Sequence, residues 1–175
     1  QIQAGRRVAE RQLNLAEAVF ANSVESILVT DAEQRIIEVN PAFLRISGYS
    51  REEIIGQHPR ILKSGRQDAG FYQQMWQELA LSGSWEGEVW NRRKSGEIYP
   101  ERLALRAVRG ADGLPSHYVG MFSDISREKQ DQARLDYLTH HDPLTGFANR
   151  QLFMERLEQA LERADAGLYE AKRAG

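Results

Sequence analysis

Few residues in this chain have the chemistry of a catalytic or metal site, and their spacing does not bring them together. The sequence contains no cysteine, which excludes disulfides, thiolate metal sites and cysteine nucleophiles. Its four histidines are His58, His117, His140 and His141. A lone histidine is more often solvated than ligating, and the adjacent pair at the end of a predicted helix points in different directions. Only His58, which precedes a proline in a connecting segment, is a candidate to face inward as the axial ligand of a haem.

The charged residues offer no stronger case for catalysis. Arg92, Arg93 and Lys94 lie beside a predicted hairpin turn, where a solvated turn is the simpler interpretation and a phosphate contact is the alternative. Glu52 and Glu53 fall in the first turn of a short predicted helix, where acidic residues suit the helix dipole. The net charge of −2 gives no electrostatic basis for binding nucleic acid or an anionic membrane. Because no apolar run approaches the length of a membrane span, a cytoplasmic protein is expected.

The elements that must position these residues follow a pattern typical of an α+β domain. Two β-rich runs flank a polar turn, several short helices follow, and period-two alternation then starts at Trp85 and turns at Lys94–Gly96. The predicted strands are 24–31, 35–40, the two arms of 85–108, and 117–126. The longest internal helix carries Phe71, Met75 and Leu79 at helical spacing. This order predicts one five-stranded antiparallel sheet, with helices on one face and a cavity between helices and sheet.

Two amphipathic helices flank this core. The N-terminal helix carries an apolar stripe of Ile2, Ala9, Leu13, Ala16 and Phe20. The C-terminal helix carries Leu135 and Leu138 and begins near Asp124, whose side chain can accept from its first free N–H groups. Both stripes suit a parallel coiled-coil homodimer. The predicted units are an N-terminal signalling helix (1–21), the core domain (22–126), a linker helix (127–141) and a terminal segment (142–175). The chain as a whole is expected to be a part of a longer polypeptide.

Four stretches of the core together resemble a PAS domain: NPAFLRISGYSREEIIG, FYQQMWQEL, GSWEGEVWNRRKSGEIYPERL and YVGMFSDIS. The resemblance covers roughly residues 20–127, and the order and spacing of the stretches are highly specific for that family. It implies a sensory module. Some members hold a flavin, a haem or a small metabolite between sheet and helices, whereas others bind nothing known and act as dimerising relays.

The resemblance also implies candidate cavity residues. Asn91 stands where light-sensing relatives place a flavin-bonding asparagine, and Glu101 falls near a second such position. Pro59 occupies the place of their photoactive cysteine, which excludes a thiol adduct. Phe122 stands where a flavin-bonding glutamine is expected, which weakens the flavin hypothesis. Trp85 and Asn91 match a pattern of redox-active flavin relatives, so FAD or another flavin remains a candidate beside an interpretation in which Trp85 is core and Asn91 secures a turn.

The two ends of residues 139–175 are similar to a GGDEF domain, the catalytic unit of diguanylate cyclases. DPLTGFANR resembles its start and RADAGLYEAKRAG its end, whereas the GGDEF or GGEEF stretch and the aspartate-rich strand that would hold Mg²⁺ are missing. Two metal-held GTP molecules cannot be joined without those carboxylates, so the chain is predicted not to be an enzyme. The middle is either deleted, with a join near 161–164, or skipped in the sequence, which would make the chain part of a working cyclase. A covalent join predicts one amphipathic helix from Asn149 to about Arg173.

The two resemblances together imply a signal relay. A ligand or redox change in the cavity alters the last strands, which lead directly into the linker helix and a c-di-GMP-synthesising GGDEF output domain. The signal can shift such a two-state element only by its differential affinity for the two states. The alternative is a ligand-free PAS dimer that serves only for assembly.

Overall fold

The computed structural model describes the backbone of residues 2–174 and the side chains of residues 7 and 10–164. The chain divides into two units, one up to Ser126 and one from Arg127 onward. The first unit contains α1 (Ile2–Asn22), β1 (Ser26–Asp31), β2 (Ile36–Val39), α2 (Pro41–Ser47), α3 (Arg51–Ile54), a 3₁₀ helix (Pro59–Leu62), α4 (Ala69–Ser82), β3 (Ser84–Arg92), β4 (Ile98–Arg109) and β5 (Pro115–Asp124). Helix α5 (Ser126–His140) begins at the last residue of that unit, and α6 (Arg150–Ala174) follows it.

The five strands form one antiparallel sheet in the order β2-β1-β5-β4-β3. The long strand β4 pairs with β3 on one side and with β5 on the other, and β1 joins β5 to β2. Successive side chains of a strand point to opposite faces, and the helices between β2 and β3 pack on one of these faces. The α+β fold with a five-stranded antiparallel sheet is therefore confirmed.

Asn40 fastens the start of α2 to the neighbouring strand. Its Oδ1 accepts hydrogen bonds from the N–H groups of Phe43 at 3.0 Å and Ile27 at 2.9 Å. Its Nδ2 donates to the carbonyl oxygens of Glu25 at 2.9 Å and Phe20 at 3.3 Å. The following proline takes the first helical position, as expected from its fixed φ. This fully buried side chain thus ties α1, β1 and α2 together.

Glycines in the left-handed conformation end α2 and turn the long hairpin, and a capping box begins α3. Gly48 closes α2 at φ 77°, and Gly96 turns β3 into β4 at φ 93°, conformations that glycine adopts without steric cost. Ser50 and Glu53 form a capping box at the start of α3. The carboxylate of Glu53 also pairs with Lys94, which links that helix to the hairpin turn.

The inner face of the sheet supports two apolar clusters. The first contains Leu28, Ile36, Val39, Phe43, Ile54, Leu62 and Phe122. The second contains Met75, Leu79, Trp85 and Val89. Leu103 of β4 packs against both, so the clusters adjoin under the centre of the sheet. The helical stripe predicted through Met75 and Leu79 is the stripe that α4 buries.

The loop before α6 is organised by side chains that accept backbone hydrogen bonds. Asp142 accepts from the N–H groups of Leu144 at 3.1 Å and Thr145 at 2.9 Å, which is an Asx-type turn. The hydrogen bonds that Asp142 accepts, chiefly those from Thr145, lower its pKa. Asn149 accepts from the N–H of Leu152 at 3.0 Å and so caps α6.

Helix α6 is one continuous element from Arg150 to Ala174. The predicted helical spacing across the join runs through Phe153, Leu157, Ala160, Ala164, Leu168 and Ala171, and the first four of these are exposed. The later members, Leu168 and Ala171, lie outside the described side chains.

Helix α1 also presents apolar side chains to solvent. Leu13, Leu15 and Val19 are each at least 60% exposed. The predicted stripe residues Ile2 and Ala9 lie outside the described side chains. Within the described residues, no helix combines the length and the apolar character needed to cross a bilayer.

Candidate ligand cavity

A cavity lies between the inner face of the sheet and the helices that cover it. The space that the centres of water-sized spheres can occupy is about 120 Å³. A single water needs only about 10–15 Å³ on the same measure, so the cavity is several times larger than a one-water site. Its walls are mainly apolar with a few polar groups, which is typical of small-molecule sites. The apolar and aromatic lining consists mainly of Leu28, Leu62, Tyr72, Met75, Trp76, Val89, Leu103, Leu105, Tyr118 and Phe122, and the polar lining of Thr30, Gln34, His58, Arg60, Lys63, Asn91 and Glu101.

Glu101 places a carboxyl group in this mainly apolar interior, with 1% of its surface exposed. Its Oε1 accepts from Nδ2 of Asn91 at 2.7 Å, and its Oε2 accepts from the hydroxyl of Tyr99 at 3.1 Å. Burial raises the pKa of Glu101 to about 8, and the two hydrogen bonds offset only part of that effect. At neutral pH the group is therefore mainly the uncharged acid, which donates one hydrogen bond as well as accepting.

Asn91 and Glu101 meet because of the register between β3 and β4. Asn91 lies opposite Tyr99, and Glu101 lies two residues further along β4 on the same face. A backbone bridge between Lys63 and Asn91 brings the segment after the 3₁₀ helix against the same strand. Two residues implied by the resemblance thus share one end of the cavity.

Tyr72 is a cavity residue that the sequence pattern did not reveal. It extends from α4, and its hydroxyl is buried without a hydrogen-bond partner. The Nζ atom of Lys63 lies 3.5 Å from the centre of its ring, a cation–π contact, and Phe71 packs edge-on at 5.4 Å. Burial, and then the charge of Glu101, raises the pKa of Tyr72. Helical periodicity indicates the side of α4 on which this ring lies. It cannot indicate that the hydroxyl lacks a hydrogen-bond partner, because that depends on the other elements packed around the ring.

His58 lines the cavity, but a backbone group determines its tautomer. Its Nδ1 accepts from the N–H of Arg60 at 3.1 Å and caps the 3₁₀ helix. The proton of the neutral ring therefore lies on Nε2. A histidine that ligates haem instead binds the iron through an unprotonated ring nitrogen and donates a hydrogen bond from the other ring nitrogen. Burial first, and Arg60 next, lowers the pKa of His58 and favours this neutral form. His58 does not fit the role of an axial haem ligand.

The other three histidines are absent from the cavity lining. His117 is exposed on β5. The Nδ1 atoms of His140 and His141 lie 2.8 and 3.1 Å from the carbonyl oxygens of Asp136 and Tyr137, one helical turn earlier. Within the described part of the chain, no group of three or more histidine, cysteine, aspartate or glutamate residues could hold a metal ion.

Of the remaining candidate residues, Phe122 lines the cavity and Trp85 does not. Phe122 is 2% exposed and packs edge-on against Phe43 with ring centres 5.7 Å apart. Trp85 belongs to the second apolar cluster, where it meets the ring of Phe71 edge-on at 5.9 Å. The assignment of Trp85 to the cavity is therefore corrected to the core, because α4 covers this end of β3.

Arg93 contradicts the expectation of a solvated turn. Only 18% of its side chain is exposed, and it forms ion pairs with Asp124 and with Glu97. It also donates to the carbonyl oxygen of Ile46 at 2.6 Å, and its guanidinium lies 3.8 Å from the centre of the Tyr99 ring. The local sequence resembles a polar turn, but its partners come from three different elements.

Asp124 lies where the sheet leads into α5. Its Oδ1 accepts from the N–H of Ser126, the first helical residue, at 2.8 Å. Burial raises the pKa of Asp124, but the hydrogen bonds from Ser126 and Arg93 outweigh it, so the pKa lies below its ordinary value. Asp124 therefore stays ionised at neutral pH and holds both the arginine and the helix start.

Comparison with known proteins assigns this architecture to a family. The family model of the PAS domain matches residues 24–127. The chain belongs to the PAS domain family. Its match to that family ends just inside α5.

The PAS region is similar to parts of larger regulatory proteins. It is 39% identical over 101 residues to the nitrogen fixation regulatory protein of Klebsiella oxytoca, covering 58% of this chain and 20% of that protein. It is 26% identical over 127 residues to the blue-light-activated histidine kinase of Brucella abortus, covering 71% and 26%. The chain thus matches about a fifth to a quarter of the length of these relatives.

Solved structures agree with the fold. The RsLOV d2 variant superposes with a TM-score of 0.60 at 26% identity, covering 71% of this chain and 73% of that one. The PAS domain of a protein from Colwellia psychrerythraea has a TM-score of 0.62 at 24% identity and covers 66% and 98%. The second likeness supports the PAS fold alone.

Proposed function

We propose that this chain is the sensory and dimerising part of a signalling protein, in which the occupancy or redox state of the cavity acts on the linker helix α5. The observation that carries the proposal is a contact path from Glu101 in the cavity to Asp124 at the start of α5. The names of two relatives, a regulatory protein and a light-activated kinase, support a sensory role for this region. Homodimerisation through the flanking helices is part of the proposal.

The path has four contacts. The carboxyl of Glu101 accepts from the hydroxyl of Tyr99 at 3.1 Å, and the ring of Tyr99 lies against the guanidinium of Arg93 at 3.8 Å. Arg93 pairs with Asp124, and Asp124 accepts from the N–H of Ser126 at 2.8 Å. A ligand that moves Glu101 must displace Tyr99 or break its hydrogen bond. Either change alters the contact that keeps Arg93 on Asp124, and hence the start of the helix.

Amide hydrogen exchange tests this path. Arg93→Gln removes the charge that pairs with Asp124, so we expect faster exchange in residues 126–140. Arg106→Gln is the matched control, because Arg106 pairs with Glu86 where both side chains are at least half exposed, and it should leave α5 unchanged. Equal exchange in Arg93→Gln and the unsubstituted chain would refute the relay.

A flavin is the proposed cofactor that the cavity chemistry fits. The flavin ring edge carries carbonyl acceptors beside an N–H donor. Asn91 and the uncharged acid of Glu101 each offer both a donor and an acceptor to such an edge. When bound, a flavin would supply redox chemistry. Pro59 lines the cavity in place of the cysteine of light-sensing relatives, so the proposed signal is redox or occupancy and not a thiol adduct.

An absorption spectrum of the purified protein decides between these ligands. Bands at roughly 375 and 450 nm would support a flavin, and Asn91→Ala should then lower its retention. A Soret band would instead indicate haem and overturn the tautomer argument for His58. A colourless protein that also fails to bind added FAD would leave a colourless metabolite or a ligand-free relay.

We further propose that the output domain of the parent protein is of the GGDEF type, and that this chain does not itself make c-di-GMP. The proposal rests on DPLTGFANR in the loop before α6 and on the missing GGDEF stretch. Incubation with GTP and Mg²⁺ should yield no cyclic dinucleotide by chromatography. An intact mass of 20.0 kDa is expected. A mass larger by a catalytic domain, together with product, would favour the alternative of an intact cyclase.

A ligand-free assembly module is the second candidate function. The exposed leucines and valine of α1 favour it, because an apolar stripe of this kind needs a partner whether or not the cavity is filled. Dimerisation with no response of α5 exchange to any bound molecule would support this candidate over the sensor.

A further inference from the structure

We propose that Tyr72 is a ligand-binding residue of the cavity, whose hydroxyl donates a hydrogen bond to an acceptor atom of a molecule that also contacts Glu101 and Asn91. The ligand class is a planar ring with carbonyl oxygens or ring nitrogens along one edge. This inference rests on the proposed sensory function and names the chemistry of the ligand that the same cavity takes.

The first argument is the unpaired hydroxyl. Burying a hydroxyl without a partner is unfavourable, and buried polar groups in folded proteins are nearly always paired. Within the described residues, no side chain or backbone group bonds the hydroxyl of Tyr72. The Lys63 ammonium lies over the face of the ring and not at the hydroxyl, so it holds the ring without satisfying the donor. A ligand atom supplies the missing acceptor.

The second argument is the set of hydrogen-bonding positions left over at this end of the cavity. Both oxygens of Glu101 already accept, one from Asn91 and one from Tyr99. The hydroxyl proton of Tyr72 and the second amide proton of Asn91 are therefore the donors left at this end, and the amide oxygen of Asn91 is an acceptor. Two donors and one acceptor complement a ring edge with carbonyls on either side of an N–H.

The third argument is the shape and polarity of the surrounding wall. Trp76 and Tyr118 meet edge-on at 5.4 Å, and Phe122 continues the aromatic lining across the sheet. Aromatic walls favour a flat ring. The ammonium of Lys63, which also lines the cavity and lies 3.5 Å from the centre of the Tyr72 ring, favours electron-rich carbonyl oxygens on the ring edge.

The test uses uracil as a minimal probe with two carbonyls and an N–H on one edge, and toluene as an apolar ring without them. Binding is followed by NMR titration, and stability by thermal unfolding. Tyr72→Phe should weaken uracil binding roughly three- to tenfold and leave toluene binding unchanged. The melting temperature of Tyr72→Phe without ligand should equal or exceed that of the unsubstituted chain, because the change removes an unpaired buried hydroxyl. Tyr49→Phe, which makes the same change against the first apolar cluster, is the control for both probes.

Three results would overturn the inference. Equal uracil affinity in Tyr72→Phe would mean that the hydroxyl meets only water. A lower melting temperature of ligand-free Tyr72→Phe would mean that it has a structural partner. No uracil binding by the unsubstituted chain at millimolar concentration would exclude the ligand class. The relay is judged separately, because Arg93→Gln reports on α5 exchange whatever the fate of uracil.

Discussion

At the scale of single residues, the buried carboxyl of Glu101 makes the stability of the fold depend on pH. Its pKa is about 8 in the folded chain, against an ordinary value of 4.5. The folded state therefore keeps a proton that the unfolded state releases above about pH 4.5. The stabilisation is fully present below that pH and is lost progressively as the pH rises to about 8. Glu101→Gln, which is uncharged throughout, should gain thermal stability relative to the unsubstituted chain between pH 5 and pH 8.5.

The charged and titratable groups around Glu101 allow this prediction to be isolated. Tyr99 and Asn91 bond to the carboxyl, Asp124 raises its pKa further, and Arg93 lowers it. All four are retained in Glu101→Gln, so any titration of Tyr99 or Asp124 largely cancels in the difference between the two melting temperatures. The matched control is Glu86→Gln, which changes an exposed carboxylate. A difference that does not vary with pH would contradict a protonated Glu101.

Asn40 makes a second prediction, because one side chain satisfies four backbone groups. Asn40→Ala removes a helix cap and leaves two N–H and two carbonyl groups without their partner. We expect a loss of about 2–4 kcal/mol in the free energy of unfolding, measured by chemical denaturation. Asn22→Ala, which removes a single exposed hydrogen bond at the end of α1, should change it by less than about 0.5 kcal/mol. Similar losses in the two variants would mean that the four contacts of Asn40 contribute little.

These residues show what a sequence can and cannot predict. The cap at Asn40 was predictable because its signal lies within the next three residues. The pairing of Arg93 with Asp124 was not, because it spans 31 positions and depends on the register of three strands. The resemblance named Asn91 and Glu101, and both line one cavity in the structure. It could not reveal that Glu101 is uncharged, since that follows from burial by distant elements.

At the scale of elements, β3 must leave room for the large ring of Trp85. A Cβ atom at Gly87 would lie 2.6 Å from that ring, closer than real contacts allow. Gly87→Ala should therefore displace Trp85, lower the free energy of unfolding by about 1–3 kcal/mol and change the near-ultraviolet circular dichroism. In Gly70→Ala, whose Cβ would meet Asp68 at an ordinary 3.4 Å, stability should be equal or higher. An unchanged spectrum in Gly87→Ala would show that the ring can move aside freely.

The alternation along β3 and β4 was predictable, and in the structure Leu103, Leu105 and Ala107 pack on the same face of the sheet. Period two identifies which side chains face inward but not what covers them. For that reason Tyr72, on the covering helix, was missed. Trp85 became a cavity candidate through its match to flavin relatives, and the structure places it in the core under α4. The composition of each strand is local information, whereas the boundary between core and cavity depends on where α4 and the 3₁₀ helix pack.

At the scale of the whole molecule, the PAS region is a transferable module. Its match covers about a fifth of the nitrogen fixation regulatory protein. A module of this kind can influence different outputs only through the segments that enter and leave it. In this chain those segments are α1, held by Asn40, and α5, held by Asp124. Both attachment points are buried or partly buried, which is the geometry that the proposed relay requires.

The same arrangement predicts how the molecule assembles. Leu13 lies on the apolar stripe of α1 and is 60% exposed, so replacing it should disturb association more than folding. We expect sedimentation equilibrium to give twice the chain mass of 20.0 kDa for the unsubstituted protein and a shift toward one chain for Leu13→Glu. Leu81→Glu is the matched control, because that leucine is 88% exposed at the end of α4 and outside the stripe. A dimer that survives Leu13→Glu but not Leu81→Glu would place the interface on the core, and the entering helix would then have no part in bringing two output domains together.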